Sequence, residues 1–409
     1  MPRTLHRRSR SLAAAVSLLF VGVFLLQNHF GHERRSTRSA TLLAAAPPYI
    51  EAILNPEDTQ FPRLDCSLGN ANRYSYLASD NHSVDGKLKY FFALDLYEAA
   101  HILPRLIGSV VEAIIFLGPS NCAVSIVEGR STDGTFEILF LLGDELQNMG
   151  IEYFLQRSNL DPHGDRIGTL ATLRNMALEP LMAHKQRFSS DTTVVFLNDV
   201  AICAEDILEL IHQRVFQGAD MTCPMDWTYV GPDPTFYDIW IARGITGDTF
   251  FNAPEDGDYN LAWDLFWNDE PAKSKLSKHQ PFQVFSCWNG GVAFTAQPVL
   301  EEKIRFRHHS EEECFQGEPK LFCKDMWHYG FGKIAVVPSI NLEYSDEQAK
   351  KIKELKGYTS KWTKDVNSDD KRIDWKQDPP ELVQCMPSAA SQDWVPWDEG
   401  NPWSSPSVL

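Results

Sequence analysis

Apolar positions along this chain follow two rhythms, and the rhythms alternate. Leu88 to Leu103 (LKYFFALDLYEAAHIL) reads as a strand followed by a helix, and Pro104 stands near the start of the next helix, through Leu106, Val110 and Ile114. Val124 to Val127 is an apolar, largely β-branched run that ends in Glu128. A tight turn over Gly129-Arg130-Ser131-Thr132-Asp133-Gly134 follows, and Thr135 opens an amphipathic helix that reaches Met149, with Gly150 at its C′ position. Ile151 to Leu155 is a short strand. Arg166 to Met182 is helical, with an apolar face at Ile167, Leu170, Leu173 and Leu178. Thr192 to Leu197 (TTVVFL) is a buried strand, followed by a helix from Ala204 to Phe216. This alternation predicts an α/β fold with a mainly parallel sheet flanked by helices. From Gly218 the pattern becomes irregular and rich in aromatics. After Val337 it is polar and charged, with a lysine-rich helix near Asp346 to Lys356, and the tail past Pro387 is expected to be loosely ordered.

The first residues break that pattern. Met1 to Arg10 carries Arg3, Arg7, Arg8 and Arg10 and no acid; Ser11 to Leu26 is apolar and uncharged. The run is short of the ~20 residues of a typical span but suits a thinner secretory-pathway bilayer. Ala44-Ala45-Ala46 lies too far from it to serve as a cleavage site, so an uncleaved signal anchor is preferred over a removed signal peptide. The expected organisation is a cytosolic tail over 1–10, the anchor over 11–26, a stem and lead-in over 27–85, a catalytic domain over 86–345, and a partly disordered C-terminal extension over 346–409. A single N-terminal span would then hold a lumenal domain to the membrane.

Charge and cysteines fit that placement. A formal net charge of -17 argues against a nucleic-acid partner, whose phosphate backbone asks for a basic surface. Eight cysteines without a CxxC pair suit lumenal disulfides better than zinc, and the sequence does not choose among the pairings. Asn81-His82-Ser83 is a glycosylation sequon.

Two strand ends carry the candidate chemistry. In open α/β sheets ligands bind outside the C-terminal ends of strands, and a helix N-terminus favours phosphate. Glu128, Ser131, Asp133 and Gly134 therefore read as the nucleoside side of a nucleotide site. Val194 to Val200 delivers Asn198 and Asp199 to a second strand end. A hard divalent cation wants oxygen ligands there and would neutralise a leaving diphosphate. The usual pattern is Asp-x-Asp; here a single carboxylate stands, and an Asn-Asp turn capping the next helix would show the same letters. Between the two, Arg166, Arg174 and Asn175 could hold diphosphate, Arg by bidentate donation. Taken in order, the set is that of a nucleotide-diphospho-sugar transferase of the A type.

The chain resembles the fungal capsule-associated α-1,3-mannosyltransferases, glycosyltransferase family 69. The resemblance lies in Ile126 to Thr135, Phe196 to Val200, Phe236 to Arg243 (FYDIWIAR), Phe285 to Gly291 (FSCWNGG), Glu313-Cys314 and Leu321 to Trp327 (LFCKDMW), and covers roughly Phe91 to Tyr344. It implies a GT-A fold, GDP-mannose as donor, a glycan acceptor, a divalent metal (Mn²⁺, or Mg²⁺), retention of the α configuration, and a type II membrane protein of the Golgi.

The later blocks also carry meaning of their own. Trp288, Asn289 and Gly290 offer a flat ring, an amide and a backbone that a ligand can approach closely; a core role for Trp288 is the alternative. Asp238 and Arg243 could bind sugar hydroxyls or form a structural ion pair. A carboxylate near the anomeric carbon is expected in either stereochemical course, though the leaving phosphate itself can supply the stabilisation when configuration is retained; Glu318, Asp325 and Asp238 are the candidates, Asp325 preferred for its apolar setting. His328 is a further possible ligand. Two rival functions remain at this stage: a transferase using another sugar nucleotide, and a non-catalytic factor of polysaccharide assembly or export on the same fold.

Overall fold

Strand β1 (Leu88–Leu96) is flanked on both sides by parallel neighbours, β2 (Cys122–Gly129) and β4 (Phe188–Leu197), and β3 (Glu152–Ser158) extends the row beyond β2. Register aligns Leu94 with both Ile126 and Leu197, so Asp95, Glu128 and Asn198 leave the sheet along one edge. The computed structural model describes residues 39–78, 86–364 and 371–403; the basic tail, the apolar run Ser11–Leu26 and the Asn81 sequon lie outside the described residues. Among the described residues no helix is long and apolar enough to cross a membrane.

The second half of the sheet is mixed, where a mainly parallel sheet was expected. After β4 come β9 (Gly291–Thr295), β5 (Met221–Val230), β10 (Ile334–Leu342), β8 (Phe282–Ser286) and β7 (Arg243–Gly244), with β6 (Asp233–Phe236) paired to β5. β9 runs antiparallel to both β4 and β5, while β10 is parallel to β5 and antiparallel to β8. The cause is local. Asn289 and Gly290 take φ of 53° and 82°, so the chain leaving β8 reverses sharply and enters the sheet against the direction of β4. Hydrophobic rhythm reports burial and not strand direction, so this reversal was not legible.

Alternation along the central strands feeds two cores. Phe91, Ala93, Val194 and Phe196 face the helix Arg166–Ala183 through Ala171 and Leu178, while Phe92, Leu94, Val195 and Leu197 face the helices Leu103–Leu117, Thr135–Asn148 and Ala204–Gln217. The layers are helix, sheet, helix. The lead-in belongs to this body. The helix Pro47–Leu54 buries Ala52 and Ile53 against the helix Leu103–Leu117, and a Cys66–Cys203 disulfide fastens the following segment.

The stretch after 346 also packs on the sheet. Lys353 Nζ donates to Asp206 Oδ2 at 2.7 Å inside the body, and Thr359 Oγ1 donates to Asp206 Oδ1 at 2.6 Å. Past Pro387, where looseness was expected, β11 (Leu382–Ser388) and β12 (Ser391–Pro396) form a hairpin. A Cys314–Cys385 disulfide and a hydrogen bond from Arg243 Nε to Gln384 O hold it. A crosslink and a buried cation thus order a segment too polar to order itself.

Candidate active site

The edge where β1 and β4 end gathers carboxylates around one guanidinium. Arg174, on the helix Arg166–Ala183, donates through Nε to Glu318 Oε1 at 2.9 Å and through Nη1 to Asn198 Oδ1 at 3.4 Å. Its cation lies 4.5 Å from the ring of Trp288, 5.3 Å from Phe196 and 5.6 Å from Phe306. A guanidinium is weakly hydrated and tolerates such an aromatic cage, which turns a flexible side chain into a fixed strut. Glu318 is presented by the first turn of the helix Glu318–His328, where a negative charge also suits the helix dipole.

Asn198 is held from three directions. Its Oδ1 also accepts from Trp288 Nε1 at 3.0 Å, and its N–H donates to Gly290 O at 3.0 Å. Its amide oxygen is therefore taken by protein donors, and Asp199 is the member of the pair left exposed at the rim. The protein crowding Asp199 still pushes its carboxyl upward, against the pull of its own backbone N–H, His101 and Arg174. Among the described residues no group of three or more His, Cys, Asp or Glu stands ready for a metal ion.

Two carboxyls of the cluster titrate near neutrality. Burial pushes Asp95, at the end of β1, up to about 6; Arg174 opposes this, while Glu318 and Asp199 add to it. Burial also pushes Asp238 up to about 6, opposed first by the N–H of Asn289, which donates to Asp238 Oδ2 at 3.0 Å. Asp226, in β5, is driven well above the usual range by burial and by the charge of Asp238, whose own N–H donates to it at 3.3 Å. Tyr344 donates its hydroxyl to Asp226 at 2.8 Å. A buried carboxyl pair of this kind retains a proton at neutral pH. Tyr237 stands half exposed over this group, its ring 4.9 Å from that of Tyr344, within the fields of Asp226, Asp238, Asp199 and Arg166.

The residues expected on the nucleoside side chiefly hold two loops together. Asp133 is occupied at both oxygens, Oδ1 by the N–H and hydroxyl of Thr135 and Oδ2 by the N–H of Ala100. Ser131 Oγ accepts from Glu98 N, and Glu128 Oε1 accepts from Ser131 N. Gly134 caps the helix Thr135–Asn148 at φ 103°. The group left facing outward is Tyr97, exposed, with Arg130 5.8 Å from its ring, while Glu128 Oε2 lies 3.3 Å from Arg157 Nε with no hydrogen-bond partner.

Other expected residues fall as follows. Arg166 is exposed at the start of its helix and has no ion-pair partner among the described residues. Asn175 exchanges two hydrogen bonds with the backbone of Phe306, so it supports the aromatic cage and not a ligand. Trp288 is 1% exposed and cannot offer a face to sugar; its role is in the cage. Asn289 is also buried, donating Nδ2 to Pro224 O at 2.7 Å beside the Cys223–Cys287 disulfide. A side chain at Gly290 would meet Val200 Cγ1 at 2.9 Å. Arg243 is fully buried and donates to the carbonyls of Ile239, Ala242 and Gln384, which removes it from any sugar site; burial pushes it down to about 9. Asp325 is clamped by Arg307, Nε to Oδ2 at 2.7 Å and Nη2 to Oδ1 at 2.8 Å, in a network with Glu313 and Lys324. Its apolar sequence setting hid that partner, and the clamp fits a structural role. His328 packs edge-on against Tyr329.

Asp95, His101, Asp226 and Tyr344 were not foreseen. Asp95 had a signal, an acid interrupting the apolar run of β1 at its C-terminal end. Asp226 and Tyr344 had none, since they meet Asp238 only through the pairing of β5 with β6 and β10.

Comparison with known proteins identifies the family. The family described as Cryptococcal mannosyltransferase 1 matches residues 89–325, more than half of the chain. The alpha-1,3-mannosyltransferase CMT1 of Cryptococcus neoformans is 33% identical over 420 residues, spanning 93% of this chain and 89% of that protein. Among solved structures, TarS of S. aureus aligns with a TM-score of 0.36 at 14% identity, over 66% of this chain and 64% of its own. The mannosyltransferase PcManGT of Pyrobaculum calidifontis, in complex with GDP-Man and Mn²⁺, aligns with a TM-score of 0.35 at 12% identity, over 75% of this chain and 67% of its own. The carboxylate cluster and its Arg174 strut lie within the matched segment and just beyond it at Tyr344, and the chain belongs to the Cryptococcal mannosyltransferase 1 family.

Proposed function

We propose that this chain moves mannose from GDP-mannose to a glycan hydroxyl in α-1,3 linkage with retention, on a GT-A type fold. It would be a single-pass type II protein of the Golgi, with its catalytic domain lumenal and anchored through Ser11–Leu26. The observation that carries the reading is the gathering of Asp95, Asp199, Asp238 and Glu318 about Arg174 at the sheet edge, inside a chain of this family.

The residues divide the work by environment. Cleaving a glycosidic bond to diphosphate leaves positive charge at the anomeric carbon and negative charge on the leaving group. The carboxylates of Glu318 and Asp238 would stabilise the first. Arg166, exposed at the start of its helix, would hold the second, with His101 beside Asp199. Asp95, whose carboxyl burial pushes up to about 6, is poised to accept the proton of the acceptor hydroxyl. Arg174 is committed to Glu318 and Asn198 and acts as the positioning residue.

A divalent cation fits at one point. Asp199 offers a carboxylate exposed at the rim, and Mg²⁺-type sites are often held by one or two carboxylates, with phosphate oxygens and water completing the shell. Asn198, its oxygen already bonded, is not suited to join it. A bound cation would neutralise the diphosphate as it leaves.

The test is donor hydrolysis and transfer by the detergent-solubilised full-length chain, across GDP- and UDP-sugars, with Mn²⁺ or EDTA, followed by linkage analysis. GDP-mannose turnover that needs Mn²⁺ and falls about 100-fold or more in Asp199→Ala is expected. Turnover of UDP-sugars without GDP-mannose turnover would overturn the donor. Equal rates with EDTA, or in Asp199→Ala, would overturn the metal.

A further inference from the structure

A second cleft opens on the other face of β5. Side chains alternate along the strand, so Asp226 points to the carboxylate cluster while Met225 and Trp227 line a cavity of about 1130 Å³. Its walls are the β5–β6 hairpin, the segment from Asp258 to His279, Pro338 and Asn341 of β10, and the helical segment from Leu355 to Trp362. Binding pockets for small ligands commonly measure about 300–1,000 Å³, so this one has room for several sugar units.

Its lining is chemically specific. Trp263 is 76% exposed and Tyr259 38% exposed, two flat rings facing solvent within one cleft. Aromatic faces pack against the C–H surfaces of pyranoses, and the carboxylate of Asp233 and the remaining amide oxygen of Asn260 beside them suit hydroxyls. One part of the cleft is basic in a chain of net charge -17. Lys356 Nζ lies 3.6 Å from the Trp227 ring centroid and Lys361 Nζ 4.4 Å from that of Trp362, and neither lysine has an ion-pair partner among the described residues. His279 stacks on Trp362 at 3.5 Å, and both lysines act on it. The Nε1 of Trp362 is buried with no hydrogen-bond partner. Of the three acids in the lining, Asp264 is already paired with Lys273 at 2.5 Å, and Asp258 accepts from the N–H and side-chain amide of Asn260.

We propose that this cleft is a second glycan site, which binds an oligosaccharide carrying a uronic acid, its neutral sugars on Trp263 and Tyr259 and its carboxylate at Lys356 and Lys361. The inference rests on the reading of the chain as a glycan-acting transferase. It adds a site that grips the acceptor chain away from the carboxylate cluster. A lysine held over an aromatic ring with no acid partner is a charge left for a ligand to meet, and a carboxylate fixed on a sugar can meet it without strain.

The experiment is direct binding to the full-length chain without donor, by calorimetry and by saturation-transfer NMR. The probes are an α-linked mannotetraose, a tetrasaccharide of matched length with one glucuronic acid, free glucuronate, and inorganic phosphate. The acidic tetrasaccharide is expected to bind about tenfold tighter than the neutral one, corresponding to one charge-assisted contact. Lys356→Gln should erase that preference and keep neutral binding, and Trp263→Ala, at an exposed position, should weaken both by about tenfold. Donor hydrolysis should be unchanged in both variants. Equal binding of the two tetrasaccharides, full binding in Trp263→Ala, or phosphate competing as well as the acidic tetrasaccharide would each overturn the proposal. Failure here with intact GDP-mannose turnover removes the second site alone; absence of turnover with any sugar nucleotide, alongside intact glycan binding, removes the transferase reading alone.

Discussion

Arg174 and Glu318 meet at 2.9 Å across 144 residues of sequence, with both side chains buried. The guanidinium stands in a cage of Phe196, Trp288 and Phe306, so the carboxylate it holds is fixed in place as well as paired. Two helices are thereby locked across the end of the sheet where Asn198 and Asp199 emerge.

Removing Arg174 should cost both fold and rate. Arg174→Met leaves Glu318 as a buried charge without its partner, worth about 3–5 kcal/mol of stability. A urea melt followed by fluorescence should show the fall in midpoint. Arg174→Lys keeps the charge but not the planar fork, so it should recover part of the stability while kcat remains down about 10- to 100-fold. Wild-type kcat in Arg174→Lys would end the positioning role.

Glu318 and Asp325 stand on one helix and should separate cleanly. Glu318→Gln preserves shape and a hydrogen bond to Arg174 but leaves that buried guanidinium without a carboxylate, so it should lower kcat about 100-fold or more in the folded fraction as well as costing about 2–3 kcal/mol. Asp325→Asn weakens the Arg307 clamp instead, and should cost about 2–3 kcal/mol with near-normal kcat in the folded fraction. The reverse pattern would return catalysis to Asp325.

Asp95 predicts a pH dependence of definite sign. Its carboxyl is raised from 3.8 to about 6 in the folded chain, so between about pH 4 and pH 6 the folded state binds more protons than the unfolded one. Stability therefore falls as pH rises through that window and is level above it. Asp95→Asn should flatten part of this slope and raise stability at pH 7 by about 1–2 kcal/mol, measured in EDTA without donor. Donor turnover should fall in the same variant, since the carboxylate is lost. An unchanged slope would contradict the burial of Asp95.

Gly290→Ala tests the turn behind Asn198. The position has φ 82°, and a Cβ would stand 2.9 Å from Val200 Cγ1. Left-handed strain and overpacking together should cost about 2–4 kcal/mol. Because Gly290 O accepts the Asn198 N–H, Mn²⁺ affinity should weaken along with stability, whereas Gly86→Ala, at φ 68° in open space, should cost about 1–2 kcal/mol and leave Mn²⁺ untouched. Equal Mn²⁺ affinity in both variants would uncouple the turn from Asp199.

The legible part of the site was the part written in strand ends. Glu128, Asn198 and Asp199 stop apolar runs, and a change from buried apolar to acidic residues marks the place where a strand leaves the sheet. What those residues do was not legible in the same way. Asp133 and Arg243 look like ligand-binding groups by letter, yet Thr135 and the N–H of Ala100 saturate Asp133, and main-chain carbonyls hold Arg243. Hydrogen-bonding capacity is a property of the neighbours as much as of the residue.

By itself the sequence determined the alternation of strands and helices, the layered class of fold, the strand ends that bear acids, and the family. These are set by local periodicity and by motifs whose parts are close in sequence. Only the tertiary structure decided the reversed direction of β9, the pairing of six cysteines, and the ordering of the C-terminal hairpin. It alone separated Glu318 beside Arg174 from Asp325 beside Arg307. The reason is physical: a carboxylate's charge state and freedom depend on which distant cation or dipole folding brings within a few ångströms, and no local pattern encodes that distance.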